Sequence, residues 1–329
     1  MAKLWKGAGA AVLLVSAVLC GGGAQATELR LGGVHAPNSF ETKALNKLAE
    51  LAAEKSGGEL TVEVYPAGQL GDERSMIDMI SVGAIDMFAN VADWNQHLVR
   101  DFAVLSMPFA FRDLDHLKAF QGSETYAGMK QAMVEQKNVR VLSDNWYRLP
   151  RVLLTREPVE NIDDVAGLKL RMPDIESFVK TWSAFGAKPT IIPFAEAFIS
   201  LRTGVVDGME APLSSIYAQK FYQVAPNVTM TNHGMAPFNI LINETSYENL
   251  SEAERTALTE AAKEAGDFYT EMIADEFAPQ REKMEAEGAR FVVIPLDGFT
   301  GRAAAIAGEF ERRGLWREGL FEEIQGDQG

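Results

Sequence analysis

Between residues 27 and 94 the hydrophobic period changes from two to near 3.6 and back again, twice. TELRLGGVH alternates like a buried strand, and NSFETKALNKLAELAAEKSGG follows with helical spacing and a glycine stop. ELTVEVYPAG reads as a second strand, DERSMIDMISVGAID as a helix with acids in its first turn, and MFANVADW as a third strand. Parallel neighbours need a crossover connection, and helices of this length supply it. The order implies a parallel α/β sheet.

A second cycle begins near NVRVLSDNW. Arg148 to Pro158 reads as an extended crossing strand, followed by LKLRMP (strand), ESFVKTWSAFGA (helix), KPTIIP (strand), AEAFISLRTGV (helix) and LSSIYAQKFYQVA (helix). VTMTNHG and FNILINE are later strands, and SEAERTALTEAAK opens a long helix with Pro279 near its middle. No flexible Pro/Ser linker and no internal repeat separates the cycles. Two α/β lobes joined by extended crossings fit a hinged clamshell, with ligand collected between the lobes at the carboxyl ends of strands.

A length of 329 residues suits two such lobes, and 47% apolar residues suffice to bury their cores. The formal charge of −15, with no basic tract, argues against nucleic acid or an anionic membrane as partner. Lys3 and Lys6, the apolar run GAGAAVLLVSAVLC and the small residues GAQA form the three parts of an export signal, with cleavage expected after Ala26. The run is too short to span a bilayer, and Leu19 is bulky where lipoprotein signals prefer a small residue. The only cysteine, Cys20, falls inside that segment, so the mature chain has no disulfide and no thiolate chemistry.

Catalytic and cofactor patterns are missing. The histidines His35, His97, His116 and His233 are scattered without metal-ligand spacing, and no G-x-S-x-G, Walker loop or dinucleotide fingerprint occurs. The expectation is no enzyme, no catalytic residue, no metal and no cofactor.

Arginines carry the positive signal: Arg148 and Arg151 in NWYRLPRVLLT, and Arg171 in GLKLRMPD. Most arginines of an acidic protein are surface partners of carboxylates. Arg171 stands apart because it ends an alternating strand just before Pro173 and Asp174. There its planar fork suits a bidentate carboxylate or phosphate. Trp146, within NWY, and Phe194 are candidate aromatic walls, though an aromatic at a strand end is as often core. Asn38 and Asn90, just after strands, can hydrogen-bond hydroxyls or cap the next helix. Asp207 and Gly208 read as turn chemistry.

The order YPAGQLGDERSMIDMISVGAIDM, DNWYRLPRVLLT, GLKLRMPD, TGVVDGMEAP resembles the solute-binding proteins of TRAP (tripartite ATP-independent periplasmic) transporters, the DctP type, over nearly the whole mature chain. The resemblance implies periplasmic capture of a small organic acid and its transfer to a membrane permease driven by an ion gradient. It implies Arg171 as the salt-bridging arginine, Arg151 as a second one and Phe194 as a ring over the ligand. Asn90, Asn38 and Asp174 fall at polar ligand-contacting positions. Two departures stand out. Ala211 replaces the usual Asn after Glu210, which leaves Glu210 or a water to orient the carboxylate, and Leu149-Pro150 precede Arg151 where relatives often carry glycine.

The expected fold is therefore an α/β two-lobed periplasmic binding protein clamshell, with the long C-terminal helix crossing both lobes. Residues 27–147 plus about 237–276 make the first lobe, and 148–236 plus about 277–329 the second, after a signal peptide at 1–26. The expected ligand is a sugar acid, ahead of a C4-dicarboxylate, bound by a monomer that serves TRAP permease subunits. The rival functions are a binding protein of an ATP-driven importer and an exported hydrolase of an acidic substrate.

Overall fold

The computed structural model describes Met1 and residues 26–326, so the apolar export segment and Cys20 lie outside the described residues. The strands are β1 (Thr27–Gly32), β2 (Leu60–Tyr65), β3 (Met87–Val91), β4 (Val139–Trp146), β5 (Arg151–Thr155), β6 (Lys169–Met172), β7 (Lys188–Ile191), β8 (Gly208–Pro212), β9 (Asn227–Gly234), β10 (Phe238–Asn243) and β11 (Arg290–Val292). They form two sheets, ordered β2-β1-β3-β10-β4 and β11-β9-β5-β8-β6-β7.

The first sheet begins as the local periodicity requires. β1 pairs in parallel with β2 and with β3, and the helices Phe40–Lys55 and Glu73–Ser81 make the crossovers. The later strand β10 then inserts antiparallel between β3 and β4, so the sheet is mixed. The second sheet is mixed too, with β5 antiparallel to both β8 and β9 while β6, β7 and β8 run parallel. A parallel sheet is the local rule in each lobe, and the chain's return crossings supply the exceptions.

Side-chain alternation sorts the cores. On β3, Met87 and Ala89 join the cluster under the helix Phe40–Lys55, while Phe88 between them joins the one under Glu73–Ser81. On β5, Val152 and Leu154 enter one cluster and Leu153 another. Strands buried on both faces in this way need near-continuous apolar runs, which β5 and β10 supply. The helix Glu252–Ala286 is started by a capping box, Ser251 with Glu254, and carries Pro279 inside it. Leu258 to Ile273 pack into the first-sheet core and Met284 into the second-sheet core, so this helix crosses both lobes. It lies close to β4: a Cβ on Gly266 would meet Asn145 Oδ1 at 2.5 Å and Trp146 Cδ1 at 2.7 Å.

Several local assignments differ. MFANVADW keeps strand geometry only to Val91 and then turns into a 3-10 helix, Ala92–His97, because β10 ends its pairing with β3 there. VVDGMEAP, read for its turn, contains the strand β8. The Asp207 carboxylate ties the start of β8 to the start of β6, accepting from Lys169 N at 2.9 Å.

Candidate functional site

Strand ends from both sheets converge on one cavity. β1 delivers Val34 and His35, β3 delivers Asn90 and then Asp93 and Trp94, and β4 leads to Arg148. From the other sheet come Arg151 at the start of β5, Arg171 near the end of β6, Phe194 after β7, and Glu210 to Pro212 on β8. The space they enclose, about 520 Å³ counting the solvent at its mouth, opens between the two sheets. The sheets also touch beside it: His97 Nε2 donates to Asp174 O (3.0 Å), and the hydroxyls of Ser106 and Ser177 hydrogen-bond.

Arg171 is 3% exposed, with Nε donating to Ile192 O at 2.7 Å and Cζ 5.7 Å from the Phe194 ring centre. Among the described residues no carboxylate makes an ion pair with it. Burial pulls its pKa down to about 10, against the attraction of Glu73 and Glu210. A buried guanidinium with no anion of its own is costly, and its planar fork of donors has the geometry for a bidentate carboxylate. Phe194 bridges the lobes, its ring 5.5 Å from that of His35 and 5.7 Å from that of Phe221.

Arg151 is differently placed. Its Nε and Nη2 both donate to the carboxylate of Glu210, and its Cζ lies 4.9 Å from the Phe178 ring centre. Glu210 also takes a hydrogen bond from His233 Nε2 at 3.2 Å, and His233 Nδ1 is 2.8 Å from Thr231 Oγ1. Burial alone would raise the Glu210 pKa, but the Arg151 charge and the hydrogen bonds from His233 and Arg151 hold it far below the usual carboxylate range. Burial pushes the His233 pKa down. Glu210 is thus Arg151's internal partner, which fixes the direction of that guanidinium despite the Leu149-Pro150 approach.

Asn90 belongs to a ring of three amides. Asn90 donates to Asn95 (3.3 Å), Asn95 to Asn239 (3.0 Å) and Asn239 back to Asn90 (2.6 Å). Each amide gives once and receives once, so the Asn90 side chain is held rigidly at the cavity wall.

Three expected contacts lie elsewhere. Trp146 is fully buried in the first-sheet core, its ring against Phe238 and Tyr269 and its Nε1 donating to Ser143 Oγ and Ala262 O. The wall expected of it is corrected, because the long helix covers that face of β4. Asn38 is exposed beside Phe40 and Lys43, on a separate groove that also includes Tyr217. Asp174 is exposed at the cleft mouth and contributes its carbonyl, not its side chain, because the next helix starts only at Glu176.

Arg148, one of the three arginines singled out in the sequence, also lines the cavity: its Nη2 donates to Ser215 Oγ (3.3 Å) and lies 3.8 Å from Glu41 Oε1. Asp93 and His35 are lining residues the sequence reading missed. Asp93 is 1% exposed with Oδ1 unpartnered. His35 directly follows a strand and its glycines, the same signal that drew attention to Asn38. Asp93 gave no such signal, since MFANVADW reads as uninterrupted strand.

A model of the family "DctP: Bacterial extracellular solute-binding protein, family 7" matches residues 31–297. The sialic acid-binding periplasmic protein SiaP of Vibrio cholerae is 31% identical over 287 residues, 87% of this chain and 89% of that one. Among solved structures, a TRAP periplasmic solute binding protein from Roseobacter denitrificans with bound L-galactonate superposes with a TM-score of 0.84 at 29% identity, covering 92% of this chain and 99% of that one. One from Chromohalobacter salexigens with bound D-glucuronate gives 0.86 at 29% identity, over 91% of this chain and 100% of that one.

Proposed function

This chain belongs to the DctP family of bacterial extracellular solute-binding proteins, the periplasmic binding subunits of TRAP transporters, and from that premise we propose that it captures a sugar acid by its carboxylate. The observation that carries the proposal is Arg171, a buried guanidinium without an ion-pair partner among the described residues, facing a cavity between two lobes. In this reading Arg171 clamps the ligand carboxylate and Phe194 covers it. Arg151, its charge balanced and its direction set by Glu210, offers a second guanidinium contact, and Asn90 offers a fixed amide. Relatives solved with L-galactonate and D-glucuronate support the ligand class.

Binding then favours closure, because the carboxylate must meet groups carried by both lobes. In this reading the lobes are 27–147 with about 237–276, and 148–236 with about 277–329, the last helix reaching back to the first lobe, where Ile324 O accepts from His116 Nε2 at 2.8 Å. Residues 1–26 direct export and are removed, and the mature monomer works in the periplasm, handing its ligand unchanged to TRAP membrane subunits. It neither catalyses a reaction on the ligand nor binds nucleic acid.

A thermal-shift screen of uronates, aldonates and dicarboxylates tests the reading, followed by calorimetric titration of the best hit into wild type and Arg171→Ala. Arg171-dependent binding of an acid recovered unaltered supports it. Affinity unchanged in the variant, or shifts with neutral sugars alone, would sink it.

A further inference from the structure

Five buried polar atoms on the first-sheet side lack hydrogen-bond partners: Asp93 Oδ1, His35 Nδ1, Glu41 Oε2, and Nε and Nη1 of Arg148. Four of the five sit on residues that wall the cavity, and Glu41 stands behind them, its Oε1 3.8 Å from Arg148 Nη2. Native proteins leave few buried polar atoms unpaired, because each such atom gives up its hydration for nothing. Their concentration around one ligand space points to groups that a ligand completes.

We propose that Asp93 and Arg148 set specificity, reading the hydroxyls of a polyhydroxy monocarboxylate and turning away a second carboxylate. This rests on the reading that Arg171 anchors one carboxylate in the same cavity. A hydroxyl donates one hydrogen bond and accepts others, so neighbouring hydroxyls can give to Asp93 Oδ1 and receive from Arg148. A carboxylate only accepts: it would suit Arg148 but set its charge against Asp93. A methylene satisfies neither. Sites built around buried polar groups reject analogues that leave those groups unpaired more strongly than apolar pockets reject a change of size.

The charge on Asp93 makes the rejection depend on pH. Burial raises its pKa to about 6, Arg151 and then Arg148 pull it down, Glu210 pushes it up, and the Trp94 backbone N–H lowers it. At neutral pH it is an anion and repels a second carboxylate. Below its pKa it is a neutral donor, which can instead hydrogen-bond that carboxylate. Arg148 is held in place by Ser215, on the short helix Leu213–Ala218 that follows β8.

The test is calorimetry on the purified protein with hexuronates and hexonates against succinate and glutarate, at pH 7.5 and 5.0. Wild type at pH 7.5 is expected to prefer its best hydroxy acid by about 100-fold or more. Asp93→Asn, close to isosteric and checked for folding by its melting curve, should shrink that ratio roughly tenfold, chiefly by improved dicarboxylate binding. Lowering the pH to 5.0 should do the same in wild type and add nothing in the variant. Arg148→Met should weaken the hydroxy acid while retaining dependence on Arg171. The proposal is overturned if Asp93→Asn leaves the ratio unchanged, or if a dicarboxylate binds wild type more tightly than any hydroxy acid. Acids that bind through Arg171 with a ratio indifferent to Asp93 defeat this assignment alone. Failure of every acid to bind defeats the carboxylate reading and this one with it.

Discussion

Arg151 and Glu210 face each other from adjacent antiparallel strands, with Arg151 Nη2 2.7 Å from Glu210 Oε1 in a buried setting. The pair neutralises itself and leaves Arg171, on the next strand over, as the cavity's buried arginine without a carboxylate partner among the described residues. Two arginines that look alike in sequence therefore have different work. One is balanced by a carboxylate on the neighbouring strand, and the other is buried without one among the described residues.

Breaking the internal pair should cost stability. Glu210→Gln leaves the Arg151 charge uncompensated, and removing one partner of a buried pair costs about 3–5 kcal/mol. Because the folded pKa of Glu210 is depressed, the pair's contribution is fully present above the ordinary value of 4.5 and is lost as pH falls through the folded pKa. Urea unfolding should show a constant gap between wild type and variant from about pH 5 to 8, narrowing only in stronger acid.

Arg171 should behave in the opposite sense. Arg171→Met removes a buried charge whose pKa burial has lowered to about 10, so the ligand-free protein should be at least as stable as wild type. Ligand affinity should fall by about 2–5 kcal/mol, roughly 30- to several-thousand-fold. Melting curves with and without the acid identified by screening read both effects in one experiment.

Asp93 should tax stability at neutral pH. Its folded pKa, raised from 3.8 to about 6, means that the folded state holds its proton more tightly than the unfolded chain does. The penalty is absent below the unfolded value, grows as pH rises towards 6, and then stays constant. Ligand-free Asp93→Asn should gain about 3 kcal/mol over wild type at pH 7.5, and little below about pH 4, in parallel denaturation curves.

Trp146 should matter for folding and not for the ligand. Trp146→Phe loses the Nε1 donations to Ser143 Oγ (2.9 Å) and Ala262 O (3.2 Å), which costs about 1–3 kcal/mol. The dissociation constant of the ligand should stay within about twofold of wild type, since the ring lies in the first-sheet core. A large loss of affinity with intact stability would return Trp146 to the binding wall.

Trp146 and Arg148 explain much of what was legible and what was not. They are two residues apart, and continued alternation would place both on one face. β4 ends at Trp146, however, so the ring stays under the long helix while the guanidinium turns towards Ser215. Asn90 could be singled out at a strand end, but its partner Asn239 lies 149 residues away and became its neighbour only when β10 inserted beside β3. Asp93 was hidden because the departure from strand geometry after Val91 depends on where that pairing ends.

What the amino-acid order determined alone is everything with a local cause. Period-two runs made strands, 3.6-period runs made helices, Ser251 and Glu254 began the long helix, and β6 ended at Met172, just before Pro173. The family likeness was carried by such local motifs as well. Tertiary structure decided which charges cancel and which remain. Glu210 was brought to Arg151 rather than to Arg171, Trp146 was taken into the core, and Asp93 and Arg148 were brought into the same cavity with unmet hydrogen bonds. The reason is physical: periodicity and capping act between residues a few places apart. The cost of a buried charge, by contrast, depends on neighbours that distant segments supply only when the sheets assemble.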